Sequence, residues 1–420
     1  MAKRDGKQRD SETEFAMART VQINPQILSW ARETAGLTIG EAAEKLGLKD
    51  VAKASAVEKL AQAEAGTRPV SQSLLEKAAT TYRRPLLTFY LPQPPARGDR
   101  GEDFRTISGT TTTRANAMLD ALLRDVRARQ QMLREIVAED DDARPLAFVA
   151  SVGTDRGARA ISASIRTTLG VTVADQRRPN SPAELFATLR GAAERSGIYV
   201  LLLGDLGSYH SDIGEDVFRG FALADDLAPL VVINDNDAAP ARSFTIIHEL
   251  AHLWLGASGV SGPLRGVSDN AIERLCNAVA GEFLLPPDVI GNLAQARGAD
   301  FTSALALTAS VARDWNVSQG AVAYRLIEQR LITEDVANEL FRYFAERWRA
   351  ERQRARDTRD ADETGPSYYV VRRSRLGAAL LGVVRRALQA NLLTHTKAGK
   401  ILGVKPTAVD ALLQERTQAA

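Results

Sequence analysis

Cysteine, histidine and aromatic side chains are all scarce in this 420-residue chain, and each scarcity narrows what the protein can be. A single cysteine, Cys276, cannot close an intramolecular disulfide, which excludes a disulfide-stapled scaffold and fits a reducing compartment. Long apolar runs are missing: stretches such as 198–203 fall far short of the ~20 residues that cross a bilayer. Residues 1–20 are charged and lack the apolar core of a secretion signal, so a cytoplasmic protein with no membrane contact is expected. Charge of one sign is missing as well. The 54 Lys and Arg face 52 Asp and Glu, a formal +2, so no global field would hold the chain on nucleic acid and any such contact must be local. What remains is 45% hydrophobic and 25% charged, an ordinary globular composition with ample apolar material for cores. At about 150 residues per domain the length suggests two or three domains.

Periodicity and punctuation divide the chain. After a disordered tail at 1–20, residues 21–91 read as an all-α unit, with helical spacing in Ile27, Leu28 and Ala31, in Ala42, Ala43 and Leu46, and in Leu74, Leu75 and Ala78. Residues 37–48 have the spacing of the first helix and turn of a helix-turn-helix: Thr38 as N-cap, Ala42 close-packed, Gly47 at the bend. A second, recognition helix is expected over 51–65, and residues 38–68 are the stretch that could touch DNA. Proline, glycine, arginine and threonine crowd 91–113, so 92–144 reads as linker and connecting helix. Residues 145–348 carry a mixed pattern, with helices near 158–169 and 182–196 and strands at 198–203 and 229–234, the signature of an α+β domain. A charged linker at 349–366 leads to a small helical region, 367–420, opening on a strand candidate at Tyr368-Tyr369-Val370-Val371 and holding a helix-turn-helix-like pattern at 398–409. His395 is expected at the surface.

Only four histidines occur, and two fall in His248-Glu249-Leu250-Ala251-His252 within a helical pattern. With histidine this rare, a chance His-Glu-x-x-His has an expectation of roughly one in several hundred. Residues four apart share one helix face, so both imidazoles can bind one zinc while Glu249, turned aside, reaches the water activated there and acts as general base. The structural alternative is an amphipathic helix with two satisfied core histidines. A catalytic zinc needs a third protein ligand, and Glu273, at the edge of the next helix, is the candidate. Asn277, four residues on, could steady a ligand from behind. Two alternatives stay open: Asn270 and Glu273 fit a capping box without a metal, and Glu282 competes as ligand. Cys276 lies on the apolar stripe and reads as a small buried residue. Tyr324 or Arg325 could donate to a tetrahedral oxyanion, with helix packing as the simpler role.

Residues 242–253 around the two histidines, the segment Ile272-Glu273-Arg274-Leu275-Cys276-Asn277 and the closing Phe283-Leu284-Leu285-Pro286 together resemble the ImmA/IrrE metallopeptidases. Residues 84–92 and Asp103-Phe104-Arg105-Thr106 are similar to the junction in members with an N-terminal Cro/repressor-like domain. The resemblance implies a multidomain protein: an N-terminal helix-turn-helix domain, a zincin-like α+β peptidase domain with His248, His252 and Glu273 on the zinc and Glu249 as base, and a small helical C-terminal region. It also implies a substrate, a helix-turn-helix repressor whose cleavage releases stress-response or mobile-element genes. One departure is visible: where such members carry a tryptophan-glutamate pair before a glycine, this chain has Ala63-Glu64-Ala65-Gly66. Zinc is the expected ion, with manganese tolerated by the same ligands. The alternative reading is a DNA-binding regulator or antitoxin-like protein whose metal site is structural or vestigial.

Overall fold

The computed structural model describes residues 20–95, 113–207, 211–261, 270–359 and 367–414. The Asp103–Thr106 motif and all of the expected tail except Thr20 lie outside them. The described residues fall into two compact units, one of residues 20–95 with 113–122 and the other of described residues from 123 to 414.

The first unit contains β1 (Thr20–Val21), α1 (Pro25–Thr34), α2 (Ile39–Lys45), α3 (Ala56–Glu64), β2 (Val70–Ser71) and α4 (Gln72–Thr81). The two short strands pair antiparallel, Thr20 opposite Ser71. Leu28, Ala42, Leu60 and Leu75 are fully buried in one core. Each helix starts where a side chain accepts an otherwise orphaned N–H: Asn24 for α1, Thr38 with Glu41 for α2, Ser55 with Glu58 for α3. The last of these corrects the helix expected over 51–65. Val51 and Ala54 pair their backbones in a turn, the Asp50 carboxylate accepts the Ala56 N–H at 2.6 Å, and the helix begins only at Ala56. Arg32 then ties α1 to α3 with a two-pronged contact to Glu64 at 2.8 and 2.9 Å.

Helix α5 (Thr113–Ala138) leads into the second unit, which continues with α6 (Gly157–Leu169), α7 (Val173–Arg177), α8 (Pro182–Arg195), β3 (Tyr199–Leu202), β4 (Gly220–Leu223), β5 (Leu230–Ile233), α9 (Ala239–Leu255), β6 (Gly259–Ser261), α10 (Ala271–Leu284), α11 (Pro287–Gly291), α12 (Phe301–Trp315), α13 (Gln319–Glu328), α14 (Glu334–Arg359), α15 (Tyr368–Leu376), α16 (Ala378–Gln389), α17 (His395–Leu402) and α18 (Val409–Leu413). The four strands form a mixed sheet in the order β3-β5-β4-β6. β3 and β5 run parallel, Tyr199 opposite Leu230, while β4 is antiparallel to both of its neighbours. The runs Tyr-Val-Leu-Leu and Leu-Val-Val-Ile are buried throughout because helices cover the sheet, α8 on β3 and α9 on β4 and β5. The mixed helix-and-strand pattern expected over 145–348 is thus present, with two more strands than the apolar runs indicated.

Two expectations need correction. Helix α14 continues to Arg359, through the charged stretch where a linker was expected from 349. The strand candidate at 368–371 is the first turn of helix α15: Tyr368, Val370 and Val371 are exposed, while Arg372 and Leu376, four apart, bury one helical face. Strand propensity is a weak preference, and with no neighbouring strand to pair with, helical packing overrides it.

Candidate metal centre

Helix α9 is apolar nearly all round, and every residue from Ser243 to Trp254 is buried. Such a helix belongs in the middle of a domain, and polar groups on it need partners or a ligand. Pro240 sits at its start and Gly256, in the left-handed conformation at φ 68°, ends it. His248 and His252, one turn apart, turn their Nε2 atoms toward each other at 3.2 Å. Helix α10 crosses α9 and brings Glu273 to the same point, its carboxylate oxygens 3.3 Å from His248 Nε2 and 3.1 Å from His252 Nε2.

These spacings match a metal site. Ligands 2.0–2.1 Å from a tetrahedral ion stand about 3.3–3.4 Å apart, close to the separations of the three donors. Among the described residues, His248, His252 and Glu273 form the group able to hold an ion. Three lone-pair donors crowded in a dry core cost desolvation energy unless a cation sits between them, and the arrangement favours positive charge. Burial works against a charged His252, yet the Cys276 sulfur and the Glu273 and Glu249 carboxylates hold its pKa well above the ordinary imidazole value of 6.5. Burial pushes the Glu273 carboxyl up, but His248 and His252 prevail and hold it far below the ordinary range.

Glu273 stands in the first turn of α10. Asn270 caps α10 by accepting the Ile272 N–H at 2.8 Å, and the Glu273 carboxylate faces the histidines. Asn277 is buried one turn on, and its side chain makes no hydrogen bond among the described residues. Cys276 is fully buried, its sulfur against His252, and burial raises its pKa so that the thiol keeps its proton. Glu282 points elsewhere, to the buried guanidinium of Arg325, which also reaches Glu328 at 2.6 Å. Both terminal nitrogens of Arg325 are thus engaged by carboxylates. The Tyr324 ring meets Phe244 edge-on at 6.0 Å, and Phe244 packs on His248 at 6.4 Å between centroids. Burial raises the Tyr324 pKa, so its phenol stays a donor.

Glu249 is fully buried beside the two histidines. One residue that shapes its surroundings escaped the sequence reading. A β-carbon on Gly220 of β4 would lie 2.8 Å from Glu249 Oε1 and 2.7 Å from Thr245 Cγ2, so only glycine lets β4 pass this close to the base. The available signal was a glycine at the head of the apolar run Gly220-Phe221-Ala222-Leu223.

Comparison with known proteins agrees with this geometry. Residues 193–327 match the family model described as the IrrE N-terminal-like domain, Peptidase_M78. The matched segment runs from the end of α8 into α13 and holds Glu249 and all three donor residues. No curated protein and no solved structure matches the chain. Residues 193–327 therefore form a metallopeptidase domain like that of this family, and His248, His252 and Glu273 within it form a group able to hold a metal ion. No helix among the described residues is long and apolar enough to cross a membrane.

Proposed function

We propose that the protein is a zinc-dependent endopeptidase that cuts a helix-turn-helix transcriptional repressor, and that its N-terminal unit is a helix-turn-helix domain that selects the target or senses a signal. The observation that carries the reading is the meeting of His248, His252 and Glu273 within 3.3 Å, with a buried carboxylate, Glu249, next to the first ligand. A zinc ion held by these residues would supply Lewis acidity, lowering the pKa of water and polarising the scissile carbonyl. Glu249 accepts the proton of the attacking water and returns it to the leaving amine, the two halves of general base and acid catalysis. Gly220 keeps the space the carboxylate needs, and Tyr324, linked to His248 through the Phe244 ring, is the neutral donor assigned to the oxyanion. For the N-terminal unit, support comes from the short helices α2 and α3 joined across a bend, each fixed by its own capping box.

The experiment is to incubate the purified protein with the repressor encoded beside its gene, with and without a chelator, and to read both by intact mass. A metal-dependent cut that Glu249→Gln abolishes is the expected result. A cut that survives in Glu249→Gln would overturn the mechanism. Absence of any cut in metal-loaded protein would favour the alternative, a DNA-binding regulator with a structural metal site.

A further inference from the structure

The near-zero total charge hides a strong segregation. Residues 367–420 hold nine Lys and Arg against two acids, Asp410 and Glu415, whereas the rest of the chain holds 45 against 50. The N-terminal unit, expected to supply any DNA contact, is balanced: residues 20–95 hold nine basic and seven acidic side chains, and α3 carries Glu58 and Glu64 around Lys59. An asymmetry of this size between two parts of one chain points to a polyanionic partner for the basic part.

Inside the C-terminal region, arginines serve as carbonyl caps. Arg372 is buried and donates to the Leu402 and Gly403 carbonyls at 2.7 and 2.9 Å, and Arg373 donates to the Gln414 carbonyl at 3.2 Å. A carbonyl satisfies the hydrogen bond without cancelling the charge, so these guanidinia still contribute to the field outside. Carboxylates meet Arg375, through Asp205 and Asp235, and Lys397, through Glu135. Asp410 is itself held by His395 at 2.9 Å. Arg386, Lys400 and Lys405 are exposed and have no carboxylate partner among the described residues.

The backbone presents two of these cations, Lys400 and Lys405, on either side of a tight bend, while Arg386 is exposed on the preceding helix α16. Helix α17 ends at Gly403, in the left-handed conformation at φ 63°, and the chain returns at once toward α18. A β-carbon on Gly399 would lie 2.8 Å from the Val404 carbonyl oxygen, so glycine is what allows the return to pack so closely. Thr396 and Lys400, four apart on α17, are exposed before the bend, and Lys405 and Thr407 after it. Hydroxyls and cations are the side chains that contact phosphates, and a membrane-seeking helix would instead set its cations around an apolar face.

We propose that the C-terminal region, residues 367–414, binds the phosphate backbone of duplex DNA, with Arg386, Lys400 and Lys405 as its exposed contacts. The region is fastened to the peptidase domain: Arg190 donates to the Ser374 carbonyl at 2.6 Å, and Glu194 accepts the Ala378 N–H at 3.0 Å. DNA bound there is thereby held by the same unit that carries the metal centre. The proposal does not depend on what the peptidase cuts.

The test is fluorescence anisotropy of the full-length protein with a labelled duplex of about 30 bp and arbitrary sequence, titrated between about 50 and 200 mM salt. Arg386→Gln, Lys400→Gln and Lys405→Gln are combined in one variant; all three side chains are exposed, and thermal unfolding checks that the fold is retained. The expected result is binding by the parent protein, weakened about tenfold or more in the triple variant, with a log–log salt slope smaller by about 2–3. A matched variant in the N-terminal unit, Lys49→Gln with Lys53→Gln and Lys59→Gln, should change the Kd by less than about twofold. No binding by the parent at the lowest salt would overturn the proposal. So would an unchanged Kd in the C-terminal variant, a loss confined to the N-terminal variant, or stronger binding to phosphatidylserine vesicles or duplex RNA than to DNA. Because the readout is binding, it stands or falls separately from cleavage.

Discussion

His248 and His252 set their Nε2 atoms 3.2 Å apart, and both atoms lie within 3.3 Å of the Glu273 carboxylate on the crossing helix. Two helices thus fix three donors by backbone packing before any ion arrives. Glu273→Ala or His252→Ala should lower zinc affinity by more than the roughly 10–100-fold that outer-shell changes cost, read by metal content after dialysis against a weak chelator. Glu249→Gln should keep its zinc and lose cleavage. That split between metal retention and activity separates a base from a ligand.

Protonation and metal compete at this centre, and the direction is fixed by the shifts. His252 is held well above 6.5, so in the metal-free protein it binds a proton that zinc must displace. Apparent zinc affinity should climb with pH up to and beyond neutrality, with proton release visible as a dependence of the calorimetric heat on buffer. Stability of the metal-free protein follows the same logic. The raised His252 contributes fully below its unfolded value and loses that contribution as pH rises through its folded value. The depressed Glu273 contributes above its unfolded value and loses that only as pH falls through its folded value. The chelated protein should therefore lose melting temperature on the alkaline side, and the zinc-loaded protein should not.

Gly220→Ala tests the space around the base. The new methyl group would fall 2.8 Å from Glu249 Oε1 and 3.0 Å from the Val232 carbonyl, so the carboxylate or the strand must shift. Displacing the general base should lower kcat by up to about tenfold while zinc content stays unchanged. An unaltered kcat would show that β4 can yield without disturbing Glu249.

Much of this was legible in the chain itself. The rare histidines at i and i+4, the apolar stripe of α10 and the all-apolar runs of β3 and β5 are local patterns, and each lies where its pattern indicated. What escaped depends on partners distant in sequence. β4 and β6 are three or four residues long and exist because β5 and then β4 offer an edge, which no local period reveals. The segment opening α15 has the composition of a strand and no strand to pair with. Gly220 matters through Glu249, and Arg325 through Glu282, contacts that only the tertiary packing makes.

Glu282 and Glu273 lie on the same helix, and metal content distinguishes them. Because Glu282 is engaged by the buried Arg325, Glu282→Gln should leave zinc stoichiometry intact while costing about 2–4 kcal/mol, since breaking a buried pair strands a charge. Retention of Glu328 by Arg325 keeps the loss at the lower end. Loss of zinc in this variant would instead place Glu282 among the ligands.

Arg375 joins the C-terminal region to the start of the metal helix by bridging Asp205 and Asp235 at 2.8 and 2.6 Å, and the Asp235 carbonyl accepts from Arg242 of α9 at 2.7 Å. Arg375→Ala would leave two partly buried carboxylates facing each other, a cost of about 1–3 kcal/mol near neutral pH. Burial already raises Asp235 above 3.8, with Arg375 pulling it down and Asp205 pushing it up, so removing the arginine must raise it further. A carboxyl with a raised folded pKa destabilises at neutral pH and ceases to do so once protonated. The gap in melting temperature between Arg375→Ala and the parent should accordingly be widest near pH 7 and narrow as pH falls through the raised Asp235 value. A gap that stays constant with pH would mean that Arg375 acts through packing alone.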